Sequence, residues 1–148
     1  MSLLNRRFVL FAAGALLSAG WSSAARADEA LEFARTCAAH VDSLADRTSN
    51  AIIDDTLECL RRINELLEAG NEERARQVAR ECIGHIERIA DAGTEAISDI
   101  CARCVWVLIN EYGAERLAHR IREYCAATIE DIRHLERRAI NAILSKFE

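Results

Sequence analysis

The segment CAAHVDSLAD, residues 37–46, recurs 45 residues later as CIGHIERIAD, residues 82–91. The cysteine, the histidine, most of the apolar residues and the final Ala-Asp pair occupy matched positions in the two copies. A third, weaker copy starts at Cys125, 43 residues further on. Repeats of about 43–45 residues indicate one supersecondary unit that is used several times.

Each copy also contains a finer period. From Cys37 to Leu66, apolar or small residues recur in steps of four, three and four, so the pattern repeats every 11 residues. Eleven residues in three turns is about 3.67 residues per turn, close to the natural period of an α-helix, whereas a strand would alternate with a period of two. Each copy is therefore predicted to be one nearly straight helix of about 35–40 residues, ~50–60 Å long.

The two connections between these helices are short. Residues 68–73 read EAGNEE and residues 112–115 read YGAE, so each has a glycine followed by acidic residues, which is typical of a helix end and a new helix start. Short connections make sequential helices antiparallel. The predicted fold is all-α, an antiparallel up-down-up bundle of three long helices at about 29–69, 72–112 and 114–147.

Two points inside the first two helices are weak in helix-forming residues. These are Thr48-Ser49-Asn50 and Asp91-Ala92-Gly93, and a break near Asn50 or Gly93 would produce more and shorter helices. The helical phase continues across both points and the chain contains no proline. We therefore expect both helices to be continuous.

The first 27 residues have the pattern of a bacterial export signal. Arg6 and Arg7 precede a short apolar run, and Ala25-Arg26-Ala27 is a small-x-small cleavage pattern ahead of Asp28. Arg6-Arg7-Phe8-Val9-Leu10 also resembles the twin-arginine signal, with the general secretory route and a retained membrane anchor as the alternatives. The expected organisation is a signal peptide at 1–27 and a single helical-bundle domain at 28–148, located in the periplasm.

Composition limits the remaining possibilities. The chain has 148 residues, 51% of them apolar, with six glycines and no proline, which excludes collagen-like and linker sequences and makes disorder a poor fit. The leader holds three of the 19 basic residues and no acid, so the mature part has 16 basic and 24 acidic residues, a formal charge of −8. An acidic domain has no electrostatic basis for binding nucleic acid or an anionic membrane.

The helical register places the cysteines. Cys59 and Cys82 lie equally far on either side of the first turn, and both belong to the inward-facing positions, so they should face each other. The other four cysteines should gather at the opposite end of the bundle, near the second turn. In an oxidising compartment an even number of cysteines is first interpreted as disulfides. The proposed pairs are Cys59–Cys82, Cys101–Cys125 and Cys37–Cys104, although three pairings are open within the four-cysteine end.

A metal site is the alternative interpretation. Thiolates suit Zn²⁺ or soft Cu(I), and a chain that folds before export could be loaded with metal in the cytoplasm. In layout the chain resembles exported copper-storage helical bundles, which are far richer in cysteine and carry Cys-x-x-x-Cys pairs that are missing here. The candidate metal ligands are Cys37, Cys101, Cys104, Cys125, His40 and His85.

The expected function is that of a non-enzymatic, disulfide-stapled module for binding or assembly, without a cofactor. The alternative is a copper- or zinc-binding bundle. A redox role for Cys101-x-x-Cys104 ranks last, because reactive dithiols sit at helix N-termini and this pair lies late in its helix. A three-helix array also leaves an apolar seam open, which favours a homodimer or a helical protein partner.

Overall fold

The structure, a computed structural model, describes the backbone of residues 3–148 and the side chains of residues 23–148. It contains the helices α1 (Leu3–Glu68), α2 (Glu72–Asn110) and α3 (Glu115–Leu144), followed by a short 3-10 turn (Ser145–Phe147). Every helix packs against the other two. The predicted all-α bundle of three long helices is confirmed, with α2 antiparallel to α1 and α3.

The predicted start of the first helix is wrong. α1 begins at Leu3 rather than near residue 29 and passes through the expected cleavage sequence without a break. The physical reason is that the leader is rich in alanine and leucine, which favour helix, and has no residue that stops one. The side chains of the expected twin-arginine pair, Arg6 and Arg7, and of the apolar run lie outside the described residues.

The two turns form where the glycines predict them. Gly70 and Gly113 have φ angles of 74° and 62°, in the left-handed region that glycine adopts without steric cost. At the first turn the Asn71 amide donates to Leu66 O at 2.9 Å, and the Asn71 side chain then accepts from the Arg74 amide. Asn71 thus satisfies backbone groups at the end of one helix and the start of the next.

The two weak points in the sequence do not break the helices. Thr48 and Gly93 are both buried and meet in the middle of the bundle, where a Cβ placed on Gly93 would lie 2.9 Å from the Cβ of Thr48. The next residue, Thr94, is buried too, and its hydroxyl donates to Ala90 O at 2.8 Å. Gly93 therefore allows a close approach of α1 and α2 while both helices stay continuous.

The core follows the predicted spacing of four, three and four residues. Fully buried isoleucines alternate along it with small residues, so the helices pack close together and bury limited apolar area per residue. All six cysteines are buried within the same core. The fully buried isoleucines include Ile52, Ile63, Ile86, Ile97 and Ile143, and the buried alanines are Ala30, Ala34, Ala75, Ala79, Ala90, Ala118 and Ala139.

We predict that Gly93→Ala destabilises the protein. The added methyl group would overlap Thr48, and overpacking of this kind costs about 1–3 kcal/mol in the free energy of unfolding. The matched control is Gly84→Ala, because a Cβ on Gly84 meets only the flexible end of Arg88 at 3.5 Å. That change should stabilise the helix by about 0.5–1 kcal/mol. Urea unfolding with the disulfides intact measures both, and equal effects of the two substitutions would contradict the close approach.

Candidate functional site

The six cysteines form three disulfides, and these are the three proposed pairs, including one of the three pairings that the sequence left open within the four-cysteine end. Cys59–Cys82 and Cys37–Cys104 join α1 to α2, each with 6.2 Å between Cα atoms. Cys101–Cys125 joins α2 to α3 with 6.4 Å between Cα atoms. These separations lie within the range that disulfides require, and no cysteine remains free. The bundle is therefore cross-linked near both ends of the α1–α2 pair.

The four-cysteine end is assembled as the sequence predicts, but its sulfur atoms are bonded to one another. Cys101 and Cys104, one turn apart on α2, do not pair together; they bond to Cys125 and Cys37. A Cys-x-x-Cys redox dithiol is thus not formed. Because a metal-binding thiolate must be deprotonated and unbonded, this end offers no sulfur ligand while both disulfides are intact.

The two candidate histidines lie beside different disulfides. His40 follows Cys37 by three residues and is exposed. His85 lies next to Cys59–Cys82, and its Nε2 is 2.8 Å from Asp55 Oδ2. Within the described part of the chain, no group of three or more His, Cys, Asp or Glu side chains has an arrangement that could hold a metal ion. The structure therefore does not bring His40 and His85 into one site with the four cysteines.

The surroundings of Cys59–Cys82 form a small polar groove. Its walls carry Asp55, Glu58, Arg62, Glu81 and His85. Asp55 Oδ2 is shielded from solvent and has no hydrogen bond of good geometry. Its close contact with His85 Nε2 is an ion pair only when the imidazole is protonated. Three carboxylates, one guanidinium group and one imidazole thus surround this disulfide.

Several other charged groups form ordinary surface pairs. Arg61 donates to Glu58 and Glu65, and its hydrogen bond to Glu58 lowers the pKa of that carboxyl group while both carboxylates raise the pKa of Arg61. These side chains are exposed, so solvent screens the pairs and they add little stability.

One ion-paired cluster links α2 to α3. Arg133 donates to Asp91 at 2.7 Å and to Glu136 at 2.8 Å, and these hydrogen bonds raise the pKa of Arg133. The Glu136 side chain occupies a position in the inward-facing pattern and is only 14% exposed. Its pairing with Arg133 at the edge of the core explains how this position accommodates a carboxylate.

Large apolar side chains also remain on the surface. Leu57 is 61% exposed, Trp106 is 59% exposed and Ile53 is 43% exposed. Ile53 and Leu57 border a groove between α1 and α3, whereas Trp106 borders a groove between α2 and α3 beside Cys101. The repeat pattern does not single out these residues. Their exposure could have been predicted, because Leu57, Trp106 and Ile53 all fall outside the spacing of four, three and four residues that defines the core.

The expected cleavage sequence lies against the second turn. Arg26 donates from its guanidinium to Glu111 O at 2.6 Å, close to the C-terminal end of α2, where a cation interacts favourably with the helix dipole. Ala27 borders the same groove as Tyr112 and Leu117. In the part of the chain whose side chains are described, no helix has the length and apolar character needed to cross a bilayer.

Comparisons of the chain with models of protein families, with curated proteins and with solved structures found no match. The function is therefore inferred from the residues described above.

We predict that the disulfides differ in their contribution to stability. Cys37–Cys104 closes a 67-residue separation and Cys59–Cys82 a 23-residue separation. Because a longer loop loses more conformational entropy when it is cross-linked in the unfolded chain, replacing the pair by alanines should cost about 4 kcal/mol for Cys37–Cys104 and about 3 kcal/mol for Cys59–Cys82.

Urea unfolding of the two double-alanine variants measures this difference. Each variant keeps the other two disulfides, so the two variants are matched controls for each other. A larger loss from removing Cys59–Cys82 would contradict the entropic account.

Proposed function

We propose that the protein is exported to the periplasm and acts there as a non-enzymatic module for binding or assembly, held rigid by three disulfides. The observation that carries this proposal is the pairing of all six cysteines inside one helical domain. Disulfides form and persist in oxidising compartments and are rare in the bacterial cytoplasm. The leader pattern that ends at Ala27 supports the same location.

The disulfides have a structural purpose in this fold. A core built largely of alanine, cysteine and isoleucine buries less apolar area than a core in which every side chain is large. Each disulfide adds about 2–4 kcal/mol, a substantial share of the 5–15 kcal/mol that is usual for a domain. Cross-linking therefore stabilises long, thin helices that their own packing would hold only weakly.

The binding role is supported by the apolar side chains at the surface. Leu57 and Trp106 are large, are more than half exposed and lie on different sides of the bundle. Exposed apolar residues beside grooves are characteristic of protein interaction surfaces. The charged groups of the described surface lie mostly singly or in ion pairs, which suits a scaffold that presents a surface rather than a catalytic centre.

We predict that the protein isolated from the periplasm has no free thiols after denaturation without reductant and contains no stoichiometric metal. Thiol titration and elemental analysis measure the two quantities on one sample. Four free thiols with one bound zinc or copper ion per chain would contradict the proposal. That result would establish the alternative site at Cys37, Cys101, Cys104 and Cys125.

We predict that Arg6→Lys with Arg7→Lys blocks export if the twin-arginine route is used, because that route reads the arginine pair. Fractionation of cells followed by N-terminal sequencing measures the outcome, and Asp28 should be the first residue of the exported protein. The matched control is Arg26→Lys, which leaves the arginine pair unchanged. Export of the double-lysine variant at the normal level would assign the leader to the general secretory route.

A further inference from the structure

Several exposed apolar residues on one side of the bundle lie on two adjacent stripes, one on α1 and one on α3. Tyr124 of α3 donates a hydrogen bond to Asp42 of α1, which fixes the side of α1 that faces α3. Leu31 and Ile53 lie 11 residues before and after Asp42. Eleven residues complete three helical turns, so these positions share one stripe of α1.

A matching stripe runs along α3. Tyr124 and Leu135 are also 11 residues apart, and Leu135 and Ala142 border the groove that Ile53 and Leu57 form on α1. In the up-down-up order α1 and α3 run parallel, so the two stripes continue side by side. We call this surface the α1/α3 seam: Leu31, Ile53 and Leu57 on α1, with Tyr124, Leu135 and Ala142 on α3.

The seam collects most of the exposed large apolar side chains of the described chain. Four of the six lie on it, namely Leu31 at 38%, Ile53 at 43%, Leu57 at 61% and Tyr124 at 37% exposure. From Leu31 to Leu57 the seam extends about 39 Å at 1.5 Å per residue, and two adjacent helices are about 20 Å wide. The face therefore has a projected area of about 800 Å², comparable to one partner's share of a standard stable interface.

We propose that the α1/α3 seam is the interface of a homodimer. This inference deepens the proposed assembly function by naming a second copy of the chain as the partner. A heptad-patterned helix follows a period of 3.5 residues and winds away from a straight stripe, whereas an 11-residue stripe stays nearly straight. The seam of a second copy has the same 11-residue period, so the two seams remain in contact along their whole length.

The charges of α1 and α3 favour one of the two ways in which the copies can face each other. Between Asp28 and Glu68, α1 carries ten acidic and four basic residues, whereas α3 carries five acidic and six basic residues. A twofold axis parallel to the helices sets α1 of one copy against α3 of the other. A twofold axis across the helices would set the two acidic α1 helices against each other, which is electrostatically unfavourable.

One cross-subunit pair follows from this arrangement. Arg138 borders the groove at the level of Ile53 and Leu57, and Asp54 is the neighbour of Ile53 on α1. The described structure gives neither Asp54 nor Arg138 an ion-pair partner within the chain. In the dimer Asp54 lies opposite the partner's Arg138, and the two charges flank the apolar contact.

The test is the mass of the disulfide-intact protein by sedimentation equilibrium from about 1 to 100 μM. We expect a dimer, with Leu57→Asp weakening association at least tenfold while circular dichroism and the free-thiol count stay unchanged. The matched control is Trp106→Asp, a comparably exposed apolar residue on another face, which should leave association unchanged. Asp54→Arg and Arg138→Asp should each weaken the dimer severalfold, and combining them should restore it.

A single-chain mass at 100 μM would overturn the dimer, and so would a loss of association from Trp106→Asp equal to that from Leu57→Asp. Failure of the double charge exchange to restore association would overturn the placement of α1 against the partner's α3. None of these outcomes bears on export or on the disulfides. A monomer that is found in the periplasm without free thiols would refute the dimer but would agree with the proposed location and disulfides. The seam would then bind a different polypeptide.

Discussion

The constant phase of the inward-facing residues is the constraint on which this structure depends. A spacing of four, three and four residues keeps the same side of each helix turned to the core over about eight or more turns. If the phase slipped by one residue within α1, every later core position would rotate by about 100°. Cys59 would then no longer face Cys82, and the close contact between Thr48 and Gly93 would be lost. Covalent cross-linking and core packing thus have one common geometric cause.

Small side chains and disulfides complement each other in this bundle. Gly93 and the buried alanines let the helices approach closely, but each contributes little apolar area. Cystine suits such a narrow space, because its sulfur atoms fill the gap between two helices that leucine side chains would push apart. The same six residues therefore serve as core side chains and as covalent links. Their burial follows from their place in the core between the helices.

The sequence predicted those features that depend on periodicity and symmetry. The Cys59–Cys82 pair and the gathering of the other four cysteines followed from register and from distances to a turn, whereas three pairings stayed open among those four. The turns followed from Gly70 and Gly113. The start of α1 could not be predicted, because the alanine-rich composition that is typical of an export leader also favours a helix. Contacts between surface side chains were also missed. The approach of His85 to Asp55 depends on rotamers, which a repeat pattern does not specify, and the exposure of Leu57 follows from a position that the core spacing skips.

The order of the three cross-links also determines what happens to a chain with one broken peptide bond. The link from Cys37 to Cys104 encloses the link from Cys59 to Cys82, and the link from Cys101 to Cys125 overlaps it. A single cut anywhere between Cys37 and Cys125 therefore leaves both fragments covalently attached. The segments before Cys37 and beyond Cys125 lie outside these links, and the segment beyond Cys125 is held by packing that includes the contact of Arg76 with the Phe147 ring. A molecule nicked between Cys37 and Cys125 therefore keeps both of its fragments in one covalent piece.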